Sequence, residues 1–260
     1  MNILFDSMGV QVQVQQETGN RLTTWTTSLQ NAGYELVYTD YSQPIECQLD
    51  GNDVLVILTR QWTQVPNGAI FTCPAPASPP LPNAIPKFWN FSYNRYDLGG
   101  IVKWINDGHG LLLFTNHTEL PGTAPYFPIY DIQLAAALGI TLVYATFNLS
   151  AFTLNPAPGA PPAIFDGVTS IQALDSGGIV PGNGTVLIPL PAESIDSGPY
   201  GYEASEHAFG VLYEVGKGKV IVLGHSGIPA NDSTCWPSPG QIGAADNEQF
   251  LNNCIAYLGT

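Results

Sequence analysis

Gly110-Leu-Leu-Leu-Phe-Thr-Asn-His117 and Gly218-Lys-Val-Ile-Val-Leu-Gly-His225 decide how this chain folds. Each is an uninterrupted apolar run, too short for a helix and without the polar alternation of a half-exposed strand. Runs of this kind are strands covered on both faces, as in a parallel sheet with helices above and below it. Both lead directly into a histidine, and in open α/β sheets ligands sit beyond the carboxyl ends of the strands. The same two segments therefore predict the fold and the edge on which a site lies.

Working outward, Ile3 to Asp6 reads as the first strand, and a helix capped by Asn20 carries Leu22, Trp25 and Leu29 on one face before Gly33 stops it. Tyr34 to Thr39 and Asp53 to Thr59 supply two more strands. The stretch 62–90 contains Pro66, Pro74, Pro76, Pro79, Pro80, Pro82 and Pro86. It is expected to be a loop or lid, because proline lacks the amide proton that helices and ladders need. A helix capped at Asn94 then presents Leu98, Ile101, Val102 and Ile105 on one face and ends at Gly108. Pro128 opens another through Ile132, Ala135, Ala136 and Leu138, and Thr141 to Phe147 is strand-like. From 148 to 200 the chain turns rich in Pro, Gly and Ser, and an irregular insertion is expected with Thr185 to Pro189 as its one clear strand. A hairpin follows, Phe209 to Val215 and Lys219 to Gly224 around Gly216. The closing helix carries Phe250, Leu251, Cys254, Ile255 and Leu258 on one stripe. The fold class is α/β, a mostly parallel central sheet flanked by helices with a late β-hairpin, in a single domain over 1–260.

Charge is scarce and one-sided. Only 11% of residues are charged, against about 25% in an average soluble protein. Acidic residues number 21 against 7 Lys and Arg, a formal net charge of -14. Such a surface repels phosphate backbones and anionic lipid, so no nucleic-acid partner is expected. No apolar run approaches the ~20 residues of a membrane-spanning helix, and no membrane insertion is expected. A surface of Thr, Ser, Asn, Gln, Pro and Gly suits an extracellular or periplasmic protein, with the cytoplasm as the alternative. Asn2-Ile-Leu-Phe-Asp6 already reads as a strand, so it is not read as a signal peptide. Asn-x-Ser/Thr triplets begin at Asn90, Asn116, Asn148, Asn183 and Asn231. Cys47, Cys73, Cys235 and Cys254 are too widely spaced for a Cys-x-x-Cys zinc clip. Cys254 reads as a core thiol, while Cys47 and Cys73 are the expected disulfide partners if the protein is exported.

Three segments carry a resemblance: Gly216-Lys-Gly-Lys-Val-Ile-Val-Leu-Gly-His225, the helix opening Asp246-Asn247-Glu248-Gln249-Phe250, and Gly110 to Gly122 with Asn116 where related chains have Asp. Together they resemble the class I glutamine amidotransferase-like superfamily and, within it, the ThuA-like (trehalose-utilisation-type) proteins. The resemblance implies a flavodoxin-like sheet. In amidotransferases the strand matching Leu111 to Phe114 ends in an elbow bearing a catalytic cysteine, and the last strand ends in an activating His-x-Glu pair. Here those places read Thr115-Asn116-His117-Thr118 and His225-Ser226-Gly227. Without sulfur and without the glutamate, glutaminase activity is not expected.

If the strand ends converge as in such a sheet, Asp6, Arg60, Asn116, His117, Glu119, His225 and Ser226 line one edge and bind a small polar molecule. A saccharide is one candidate, because Tyr-, Trp- and Asn-rich surfaces stack on sugars and hydrogen-bond them. His225 and Glu119 are the candidate catalytic groups. The alternative is a divalent metal held by His117, Glu119, His225 and Asp232, in a metal-assisted hydrolase or isomerase. A third reading is a structural or assembly domain, forming an oligomer through its low-charge loops. Gly224-His-Ser226-Gly has the look of a hydrolase elbow, but Ile228 replaces the second glycine and no histidine follows as base. His109 is expected to be solvent-exposed, and His207 to lie in a loop among acids and aromatics.

Overall fold

The computed structural model describes residues 1–6, 22–40, 43–58, 95–116, 129–198, 200–231 and 241–260. The proline-rich stretch 62–90, the expected caps Asn20 and Asn94, and the candidate site residues Arg60, His117, Glu119 and Asp232 lie outside them. So do Cys73 and Cys235.

Val54–Leu58 (β3) and Gly110–Phe114 (β4) are buried along their whole length, as their unbroken apolar sequences require. They pair in parallel with each other and with Asn2–Phe5 (β1) and Gly218–Leu223 (β10). Glu35–Tyr38 (β2) closes this parallel core at one end, giving the order β2-β1-β3-β4-β10. The chain thus moves from β1 outward to β2 and then back to β3 on the other side of β1, the doubly wound arrangement of a flavodoxin-like fold.

Successive side chains along a strand leave opposite faces, so each strand feeds two cores. Leu112 and Phe114 of β4 join Phe5, Val56 and Ile221 on one face. That layer is covered by Thr23–Asn31 (α1), through Trp25 and Leu29, and by Asn247–Leu258 (α4), through Phe250, Leu251, Cys254, Ile255 and Leu258. Leu111 and Leu113 join Leu55, Val220 and Val222 on the other face, under Arg95–Asn106 (α2) and Ile129–Ala137 (α3). The i, i+3, i+4 stripes read from the sequence are the buried stripes. Cys254 is fully buried, and burial pushes its thiol pKa up.

The sheet does not stop at β10. Ala208–Val215 (β9) pairs antiparallel with it through the expected hairpin, where Gly216 takes a φ of 63° that side-chain-bearing residues rarely adopt. Beyond β9 lie Ile171–Val180 (β6), Thr141–Leu154 (β5) and Ile195–Asp196 (β8), with Thr185–Pro189 (β7) pairing on β9. The 148–200 stretch is therefore not an irregular insertion: it completes β5 and supplies three further strands. Pattern reading failed there because β6 contains Asp175-Ser-Gly-Gly178, a run of poor strand formers that a packed neighbour requires. A Cβ on Gly178 would collide with the Val143 side chain of β5. Burial pushes the Tyr213 phenol of β9 up to about 12, and its hydroxyl donates to the Val180 carbonyl at 2.8 Å.

One smaller expectation is corrected. His109 is half-buried, its ring stacked 4.3 Å from that of Trp104 at 4°. The Cys47 thiol is free and exposed, and Cys73, the other disulfide candidate in an exported protein, lies outside the described residues. Among the described residues no helix is long and apolar enough to cross a membrane.

Candidate functional site

The adjacency on which the site reading depends is present: β4 and β10 are neighbours, in register Phe114↔Leu223. The ladder continues one residue further, with the Thr115 N–H donating to the Leu223 carbonyl at 2.8 Å. Asn116 and Gly224-His225 therefore emerge side by side at the carboxyl edge, Asn116 with only 8% of its surface exposed.

β6 then closes over this edge. Its Gly177 N–H donates to the Gly224 carbonyl at 2.8 Å. A Cβ on Gly177 would lie 2.5 Å from the Asn116 carbonyl oxygen, and one on Gly224 would run into the Ser176 hydroxyl. Three backbones meet at a distance that only glycines permit, which is a recurrent use of glycine within strands. The approach carries Asp175 to the imidazole: its Oδ1 lies 3.4 Å from His225 Nε2. The His225 side chain is 6% exposed and that of Asp175 27%, so the pair bridges the interior and the solvent. Gly227 leaves the room the ring needs, since a Cβ there would stand 2.9 Å from Nε2. A carboxylate facing one ring nitrogen fixes the orientation of an imidazole.

Asp175 is the residue that sequence reading missed. Its signal was the Ser176-Gly-Gly178 run beside it, a mark of close backbone approach inside a strand pattern.

Ser226 is fully buried, and its hydroxyl has no hydrogen-bond partner among the described residues; the same holds for the Thr115 hydroxyl. Ser226 Oγ is thus not hydrogen-bonded to the His225 ring, and the hydrolase-elbow pairing is not made. Orphaned buried hydroxyls cost about 1–3 kcal/mol each, and such exceptions cluster where a ligand or an ordered water completes the site.

Asp6 ends β1 in full burial, with the Thr39 hydroxyl 3.5 Å from its Oδ1. β3 and β4 stand between β1 and β10, which at ~4.8 Å per strand puts Asp6 roughly 14 Å to the side of His225. It occupies the point where the chain reverses direction across the sheet, rather than the His225 pair. Among the described residues no group of three His, Cys, Asp or Glu is arranged to hold a metal ion.

The Asp246-Asn247 motif proves to be a strut. Asp246 Oδ2 accepts the Thr169 N–H at 2.8 Å, the Thr169 hydroxyl at 2.7 Å and the Ser170 N–H at 3.1 Å. These bonds hold its carboxyl below the usual carboxylate range. Asn247, fully buried, donates to the Gln172 and Gln241 carbonyls at 2.8 and 2.7 Å and accepts the Gln172 N–H at 2.9 Å. The two residues fasten the start of α4 to the start of β6, the strand that carries Asp175.

No protein-family model matches the chain, and no curated protein matches its sequence. Solved structures match its fold. The mmIFT52 N-terminal domain superposes with a TM-score of 0.64 at 11% identity, over 100% of this chain and 98% of that one. The cytoplasmic protein STM1381 from Salmonella typhimurium LT2 gives 0.60 at 14% identity, over 99% of both chains. A ThuA-like protein from Bacteroides uniformis ATCC 8492 gives 0.53 at 14% identity, over 99% of this chain and 89% of that one. At such identities the likeness is one of fold: the chain has a ThuA-like α/β fold.

Proposed function

We propose that the chain is a non-amidotransferase member of the glutamine amidotransferase-like superfamily that binds a small polar ligand, a saccharide by class, at the carboxyl edge of β4 and β10. The observation that carries this reading is the approach of Asp175 to His225 over the strand ends. The described groups gathered there, Thr115, Asn116, Asp175, His225 and Ser226, offer hydroxyl, amide, imidazole and carboxylate functions. Such a set suits the paired donors and acceptors of hydroxyl groups better than it suits an anion. The resemblance to trehalose-utilisation-type proteins points the same way. The elbow sequence Thr115-Asn116-His117-Thr118 has no thiol, so the reading includes no acyl-enzyme chemistry.

Thermal unfolding in the presence of mono- and disaccharides and linear polyols tests it. A ligand at a hundredfold excess over its Kd stabilises by about 2.7 kcal/mol, a rise of roughly 5–11 °C for a chain of this size. The wild type is expected to show such a rise with at least one compound, and His225→Ala and Asp175→Asn to lose it. A rise that survives in both variants would sink the proposal, as would no rise with any compound.

A further inference from the structure

Gln241 has only 4% of its surface exposed, yet neither the Nε2 nor the Oε1 of its side chain has a hydrogen-bond partner among the described residues. The indole Nε1 of Trp25, a fully buried residue of α1, is orphaned in the same way. Buried polar atoms are nearly always paired, and replacing an unpaired one by an apolar group of the same shape is neutral or stabilising. The Gln241 amide therefore contributes nothing to the stability of the free chain, and its partner must come from outside it.

Both side chains belong to segments that meet at the turn after β10. Ile242, next to Gln241, donates its N–H to the Ala230 carbonyl at 3.1 Å, and Ala230 donates its own to the Gly227 carbonyl at 3.1 Å. Two backbone contacts of roughly 5 Å each thus lead from the residue after Gln241 to the residue after Ser226. On its other side the Gln241 carbonyl accepts from Asn247, which also donates to the carbonyl of Gln172 in β6, three residues before Asp175. Gln241 stands in the angle between the two elements that bring Asp175 to His225. Trp25 approaches from the α1 side. Its ring meets those of Phe5 and Phe114, the last residues of β1 and β4, at 5.5 and 6.1 Å. The Thr24 N–H before it donates at 3.3 Å to Oδ1 of Asn231, beyond the same turn.

The unpaired set is an indole donor, an amide that both donates and accepts, and the Ser226 and Thr115 hydroxyls, which do both as well. None of these groups is charged, and an ionised ligand group buried against them would lack a counter-charge. A neutral hydroxyl accepts one bond and donates another, which is what the amide requires.

We propose that Gln241 is a specificity-determining residue of the His225 site, its amide pairing with one hydroxyl of the bound saccharide beneath the turn after β10, with the Trp25 indole N–H as a further donor. This rests on the saccharide reading of that site. Isothermal titration calorimetry with glucose, galactose, mannose, maltose and sorbitol and their monodeoxy analogues tests it on the wild type, Gln241→Met and Ser226→Ala, together with the melting temperature of each unliganded protein. The wild type is expected to bind one parent compound about tenfold or more tightly than one of its deoxy analogues, and Gln241→Met to bind the two alike while melting no lower than the wild type. Ser226→Ala is expected to weaken both compounds and to keep the discrimination between them. Discrimination unchanged in Gln241→Met, or wild-type binding blind to every deoxy position, would overturn the role of Gln241 alone. A melting temperature several degrees lower in Gln241→Met would also overturn it, since the amide would then be bonded within the chain. Failure of every compound to bind the wild type would refute the saccharide reading and the role of Gln241 together.

Discussion

Replacing Asn247 by alanine tests whether the motif that carries the sequence resemblance is structural. The side chain is fully buried and makes three short bonds, two to carbonyls and one from an N–H of Gln172. Each such bond is worth about 1 kcal/mol net, so their loss costs about 3 kcal/mol before any penalty for the Gln172 and Gln241 groups left behind. Against a total stability of about 5–15 kcal/mol that is a large fraction, and it corresponds to a fall in Tm of roughly 6–12 °C. Asn253 on the same helix provides the control: it also donates to two carbonyls, those of Ile164 and Asp166 at 3.2 and 2.8 Å, but from the helix rim. Asn253→Ala is expected to cost less than half as much. Differential scanning calorimetry of the two variants measures the comparison directly. Equal losses, or a fall below 2 °C for Asn247→Ala, would show that the strut does not anchor β6.

Asp246 makes the strut sensitive to acid. Its folded pKa is depressed, so its contribution is present above the ordinary carboxylate value and is lost as pH falls through the lower folded value; Asp246→Asn is expected to flatten the circular-dichroism acid-unfolding curve below about pH 4. Gly177→Ala forces a Cβ against the Asn116 carbonyl, and is expected to lower Tm by several degrees and to abolish ligand-induced stabilisation while leaving the far-UV spectrum intact; a variant as stable and as responsive as the wild type would refute the close approach.

How much of this was legible depended on whether the burial was local. β3, β4 and β10 announce themselves because strands covered on both faces need unbroken apolar sequence, and α4 because its stripe repeats at the helical period. Their ends lie side by side, as the site reading requires. β6 could not be read in the same way: what makes it a strand is the fit of Gly177 and Gly178 against Asn116 and Val143, residues distant in sequence, and an isolated Asp-Ser-Gly-Gly run has the local signature of a turn. Missing β6 meant missing Asp175. His109 misled for a related reason. At a helix-to-strand turn it reads as punctuation, yet Trp104, five residues earlier, offers it a parallel ring.

The antiparallel half of the sheet explains why Asp175 meets His225 at all. A parallel core alone would leave Asn116 and Gly224 as bare strand ends. β6 pairs with β9 at Ile179↔Ala208, and the β9 positions from there to Leu212, which an antiparallel β6 would need for its residues before Ile179, are taken by β7. That part swings against the end of β10, and Gly177 takes the Gly224 carbonyl that a further strand residue would otherwise have used. Asp175 faces His225 because β7 holds that edge of β9 and leaves this part of β6 to the end of β10, and the row from Asp175 through Asn148 to Ile195 shares one face of the sheet. Changes that shift the β6 register by one residue would therefore remove Asp175 from His225 and turn Asn148 away from Asp175 together, because a strand's side chains alternate with a period of two.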